Sequence, residues 1–148
     1  MITVYRITTV QWSRELTASG NAARWNSKGR YVIYTAESRA LACLENLVHR
    51  SGEGDNRLYK VMLITIPASV KVEVIDISKL KKDWFVMEQY PYCQSIGNDW
   101  LQKQQSAILK VPSVVIKKEY NYLINPQHPD FKKIKLSATE DFDFDSRI

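Results

Sequence analysis

The sequence predicts an α+β protein made of one domain, residues 1–148. Three observations lead there. Short β-rich runs recur along the chain, one segment carries a clear helical stripe of apolar residues, and no repeat, low-complexity tract or Pro/Ser linker divides it. With 148 residues, 45% of them apolar, there is material for one proper core and no room for a second.

ITVYRI at 2–7 is strand-like, and YVIYTA at 31–36 is a β-rich aromatic run that follows a glycine-containing turn. A helix comes next. In RALACLENLVHR, Ala40, Leu41, Leu44, Leu47 and Val48 recur at three- and four-residue spacing, and Ser38 is placed to cap the first turn. SGEGDN at 51–56 stops it with two glycines. LYKVMLITI at 58–66 reads as a central strand ended by Pro67, and VKVEVIDI at 70–77 alternates as a half-buried strand does. IGNDWLQKQQ has a helical look, with Asp99 near its start and Trp100 and Leu101 for the core. SAILKVPSVVI returns to strand, with a bend or edge implied at Pro112. NYLINPQHPDF at 121–131 carries turn chemistry, and IKLSATEDFDFDSRI supplies a last strand.

The net charge of +5 raises the question of nucleic acid. Lysines and arginines are spread along the chain, and no helix-turn-helix, zinc-finger or RNA-recognition signature is present, so no direct nucleic-acid contact is expected. A mild basic excess equally suits an anionic small molecule. No run approaches the ~20 apolar residues of a membrane span, and the N-terminus lacks a secretory pattern, which predicts a cytoplasmic protein with no membrane contact. Cys43, Cys93, His49 and His128 lie apart without ligand spacing. Buried thiols and no metal are expected.

GNAARWNSKGRYVIYTA at 20–36 crowds two arginines, a lysine and three aromatics around two glycines. Beside it, Glu45 follows Leu44 in the middle of the helix next to the apolar stripe, and pattern alone reads it as an exposed glutamate. By the same token Arg24 pairs a carboxylate and Tyr34 packs with its hydroxyl at the rim. The aromatics Trp25, Trp84 and Trp100 are read as core, and the asparagines of NYLINP as turn formers.

GNAARWNSKGRYVIYTAESRALACLENLVH, followed downstream by SAILKVPSVVIKKEYNYLINPQHPDF, resembles the RES domain, the toxin of RES-Xre toxin-antitoxin pairs. The likeness spans essentially the whole chain. It implies a mixed, mainly antiparallel sheet like that of ADP-ribosyltransferase toxins, and NAD as the substrate, broken at the nicotinamide–ribose bond by hydrolysis or phosphorolysis. ADP-ribosylation of a protein is the alternative within the enzyme class, and a non-catalytic basic binding module is the alternative outside it. Carried over residue by residue, the resemblance marks Arg24, Tyr34, Glu45 and a serine, with Ser113 the closer match and Ser106 able to share the pocket.

Each of these residue types suits that chemistry. A carboxylate at Glu45 stabilises an oxocarbenium-like ribose, the Tyr34 ring stacks on nicotinamide, and the Arg24 fork binds pyrophosphate with help from Lys28 and Arg30. Ser113 supplies a hydroxyl and, with no histidine or aspartate around it, is no nucleophile. Asn121 is a weaker candidate for a ligand contact. The resemblance also implies a cognate Xre-type helix-turn-helix antitoxin.

Overall fold

The computed structural model describes residues 1–50 and 57–148. Seven strands, β1 (Ile2–Thr9), β2 (Ile33–Ala36), β3 (Tyr59–Ile66), β4 (Val72–Val74), β5 (Ile108–Pro112), β6 (Tyr120–Ile124) and β7 (Lys135–Phe142), form one sheet in the order β4-β5-β6-β2-β1-β3-β7. Neighbours are antiparallel except β4 and β5. Among the described residues two α-helices, α1 (Arg39–His49) and α2 (Tyr90–Lys103), complete the α+β architecture. No helix among the described residues is long and apolar enough to cross a membrane.

Strand alternation assigns the side chains to two faces. Val4, Ile33, Met62, Ile64, Ile66, Ile108, Tyr122 and Ile124 point one way into a core closed by Val70 and Ile134 from the connecting segments. The other face carries both helices. Ile7, Ala36, Tyr59 and Val61 receive Leu41 and Ala42 of α1, whereas Leu109, Val111 and Leu123 receive Cys93, Trp100 and Leu101 of α2.

The sheet has a thin seam. β1 holds eight register pairs with β3 but one with β2, Tyr5 to Ala36. Beside that single pair, Arg6 Nη1 donates to the Tyr34 carbonyl at 3.0 Å. Burial pushes the pKa of this arginine down, because a low-dielectric site disfavours its charge.

Ser38 caps α1 as the sequence predicts, its hydroxyl accepting from the Leu41 amide at 3.1 Å. Other segments differ from their reading. The expected strand at 70–77 shrinks to Val72–Val74 on the sheet edge, because the Asp76 carboxylate accepts from the Ser78 amide at 2.8 Å and turns the chain. The helix expected around 98 begins at Tyr90 with Pro91 in its first turn, where a missing N–H costs nothing. Asp99 therefore lies near its end, paired with Lys103 at 3.0 Å. NYLI is no turn but part of β6, an interior strand, and the turn residues act only from Asn125 onward. Pro112 is the last residue of β5, past the reach of β4, so no ladder bond is lost there. The glycine stop at 51–56 lies outside the described residues.

Candidate active site

The loop at 20–30 is built before it is decorated. Gly20 and Gly29 take φ of 79° and 84°, the left-handed region that suits glycine, and the Gly29 amide donates to the Gly20 carbonyl at 2.8 Å. Inside this loop Asn26 is 1% exposed. Its Nδ2 reaches the carbonyls of Asn21 (2.9 Å), Ser27 (3.2 Å) and Arg30 (2.9 Å).

Helix α2 grips the same loop. Gln94 Nε2 donates to the carbonyls of Ala23 (2.9 Å) and Asn26 (3.1 Å), and Asn98 exchanges two hydrogen bonds with Ser27. Gln94, Gly97 and Asn98 fall on one helical face by their three- and four-residue spacing. Gly97 permits the approach: a Cβ there would sit 1.7 Å from the Trp25 carbonyl oxygen. Trp25 and Trp84 then pack against each other and, with Trp100, are buried as the sequence predicts.

Arg24 is turned inward by this arrangement. Nη1 donates to the carbonyls of Trp84 (3.3 Å) and Val86 (3.0 Å), Nη2 to that of Phe85 (3.1 Å), and the guanidinium lies 4.1 Å from the centre of the Tyr90 ring. The fork expected for phosphate is thus engaged with main chain, and Arg24 shapes the site by holding the 84–86 segment. Lys28 and Arg30 stay exposed at the loop's outer end.

Tyr34 on β2 is half-buried. Its hydroxyl donates to Asn26 Oδ1 at 2.6 Å and accepts from the Trp25 amide at 3.0 Å. Burial pushes its pKa up, so the phenol stays neutral. The hydroxyl is committed to the loop, and what the residue presents to a ligand is its ring.

On the other side, α1 delivers Glu45. The carboxylate is half-buried rather than exposed, and Oε1 accepts from Ser113 Oγ at 2.7 Å. Burial raises its pKa, opposed by hydrogen bonds from Ser113 and Asn121 and by the charge of His49. Ser113, 0% exposed, also accepts from the amides of Val115 (3.0 Å) and Ile116 (3.1 Å), so its lone pairs are occupied and its proton is pledged to the glutamate. That is a positioning hydroxyl.

The two groups share the helical face of the sheet. Ala36 pairs with Asn121 and Tyr34 with Leu123 on adjacent antiparallel strands, which makes Tyr34 and Asn121 diagonal neighbours about 7–8 Å apart. Ser106 belongs elsewhere. Ser113 follows the end of β5, whereas Ser106 precedes its start and binds Trp100 Nε1, the Glu73 carboxylate and the Ile108 carbonyl. Asn26, Gln94 and Asn98 escape a reading by residue type because amides facing main chain look in sequence like any surface amide; the one local signal was the glycine at 97 inside a helix. Among the described residues, no cluster of three or more His, Cys, Asp or Glu is arranged to hold a metal.

Residues 3–145 match the model of the RES domain. A relative from Sphingobium sp. (strain YBL2), named Prs ADP-ribosylating toxin, is 39% identical over 127 residues, covering 84% of this chain and 79% of that protein. Toxin Res of Photorhabdus laumondii is 34% identical over 154 residues, covering 98% of this chain and 96% of its own. In the crystal structure of the M. tuberculosis MbcT-MbcA toxin-antitoxin complex, one chain superposes with a TM-score of 0.73 at 18% identity, over 95% of this chain and 84% of that one, and so shares its fold. From the family match and the two relatives together, the chain belongs to the RES domain family.

Proposed function

We propose that this chain is the toxin of a toxin-antitoxin pair and acts on NAD, cleaving the bond between nicotinamide and ribose. The observation that carries the reading is Glu45, a half-buried carboxylate oriented by Ser113 on the same sheet face as the Tyr34 ring. Relatives that bear the name toxin cover most of the chain, and the matching fold comes from a toxin-antitoxin complex.

The electron movements follow from the substrate. The C1′–N bond breaks and its electron pair moves to the ring nitrogen, so nicotinamide departs neutral and needs no proton. The ribose is left with oxocarbenium character at C1′, which a fixed anion stabilises more than it stabilises NAD itself. Glu45 is that anion. An oxygen of water or inorganic phosphate then bonds to C1′. When water attacks, its proton passes to Glu45, whose burial raises its proton affinity. Tyr34 offers its ring face to nicotinamide, while Lys28 and Arg30 add positive potential at the loop's outer end.

Transfer of ADP-ribose to a protein is a second reading, favoured by the name of the 39% identical relative, Prs ADP-ribosylating toxin. The inhibitor is an Xre-type helix-turn-helix antitoxin. Purified protein incubated with NAD, with and without inorganic phosphate, tests the first reading: free nicotinamide with ADP-ribose indicates hydrolysis, and ADP-ribose-1″-phosphate indicates phosphorolysis. Intact NAD after incubation with folded, antitoxin-free protein rules out both.

A further inference from the structure

Beside the 84–86 segment lies a cleft of about 360 Å³ lined by Lys81, Lys82 and Lys117, with Leu80, Trp84 and Phe85 on its apolar side. Its three lysines come from two separate stretches of chain. Lys81 and Lys82 precede Trp84, whereas Lys117 stands on the loop that begins at Ser113. Among the described residues no carboxylate lies within ion-pair distance of any of the three. Asp76 caps its own turn through Ser78, and Asp83 accepts from Gln89 at 3.0 Å. Instead two of the ammonium groups rest on aromatic faces, Lys117 at 3.3 Å from the centre of the Phe85 ring and Lys81 at 4.7 Å from that of Tyr92.

Three lysines lining one concavity give it a positive potential that attracts an anion. The apolar side adds what a bare ion does not need: the half-buried Phe85 ring, a flat face backed by the buried Leu80 and Trp84. Both walls of this cleft also lead to the candidate active site, since Phe85 is held through its carbonyl by Arg24 and Lys117 follows the serine that orients Glu45.

We infer that this cleft is the subsite for the ADP half of the dinucleotide, its lysines taking the diphosphate and its apolar wall the adenosine. The inference rests on the NAD reading.

ADP, which has no nicotinamide bond to break, probes the cleft separately from catalysis. Calorimetry is run with ADP, adenosine and inorganic phosphate on the wild type, on K81A/K82A/K117A, and on K71A/K132A/K135A, which removes the same charge from exposed sites outside the cleft. The expected result is ADP binding weakened about 10-fold or more in the cleft variant, roughly the loss of one charge-assisted hydrogen bond, with the control variant close to wild type. KM for NAD then rises more than kcat falls. Equal ADP affinity in the cleft and control variants overturns the inference, as does no ADP binding to wild type. Inorganic phosphate that binds as tightly as ADP and is equally sensitive overturns the nucleotide assignment and marks a phosphate site. Lysine-dependent ADP binding by protein that leaves NAD intact upholds the subsite and removes the cleavage reading.

Discussion

The two helices lie on one face of the sheet, yet they treat polar groups in opposite ways. On the α2 flank Asn26, Gln94, Asn98, Arg24 and the Tyr34 hydroxyl are bound to main chain or to each other, and the loop they hold is fixed from several directions. On the α1 flank one buried-edge carboxylate has a hydroxyl and an amide as partners and is driven by burial toward its protonated form. The difference separates scaffold from chemistry. Groups whose bonding is complete fix a shape, whereas a charge held at a cost to the fold is where the proposed chemistry would draw on it.

If α2 is scaffold, damage there appears as lost folding. Gly97→Ala drives a methyl group into the Trp25 carbonyl and is expected to cost about 3 kcal/mol or more, read as a large drop in denaturation midpoint. A midpoint near wild type would show that α2 does not grip the loop so closely.

The α1 flank reverses the pattern. Glu45→Gln keeps a side chain that accepts from Ser113 and removes the charge, so NAD turnover is expected to fall about 100-fold or more with folding retained. A glutamate whose pKa is raised on folding is penalised by ionisation, so its contribution to stability worsens as pH rises from the ordinary carboxylate range through the raised value. The variant is therefore expected to melt no lower than wild type at neutral pH, with any advantage shrinking in acid. Thermal melts across pH check the sign, and a variant that unfolds at neutral pH makes Glu45 scaffold instead.

Asn26→Ala strips a buried loop of its amide and leaves the Tyr34 hydroxyl without its acceptor; a loss of about 2–3 kcal/mol is expected in chemical denaturation. Ser113→Ala sits between the two regimes. It orphans the amides of Val115 and Ile116 and removes a hydrogen bond that favours the carboxylate, so turnover drops roughly 10-fold and the acid limb of the pH–rate profile moves to higher pH. An unmoved acid limb detaches the serine from the catalytic charge. Arg39→Ala, which breaks an exposed pair with Glu140, is expected to leave both the melting temperature and turnover unchanged.

How far the sequence disclosed this arrangement depends on where each residue's partner lies. Apolar spacing located α1 and its Ser38 cap, because both are set by neighbours a few residues away. The same stripe left Glu45 looking exposed, since its burial comes from Ser113 and Asn121 on distant segments. Family likeness marked Arg24 but not its partners, which are carbonyls that every residue possesses. Charge read along the chain looked dispersed; folding brings Lys117 beside Lys81 and Lys82. NYLI was masked by its own Asn121 and by Asn125 and the two prolines after it, although its tyrosine, leucine and isoleucine are ordinary strand residues.

The seam between β1 and β2 gives the molecule a preferred line of parting. One register pair and the reach of Arg6 join a four-strand ladder, β4-β5-β6-β2, to a three-strand ladder, β1-β3-β7. Helix α1 lies across that line, leaving directly from β2 yet packing on Ile7 of β1, and Glu45 rides on it. Solvent reaches the amides along the seam by a smaller opening than global unfolding requires, so their deuterium uptake runs ahead of that in the paired interior of β3. Relative motion of the two ladders would thereby shift α1, and with it the carboxylate that Ser113 orients.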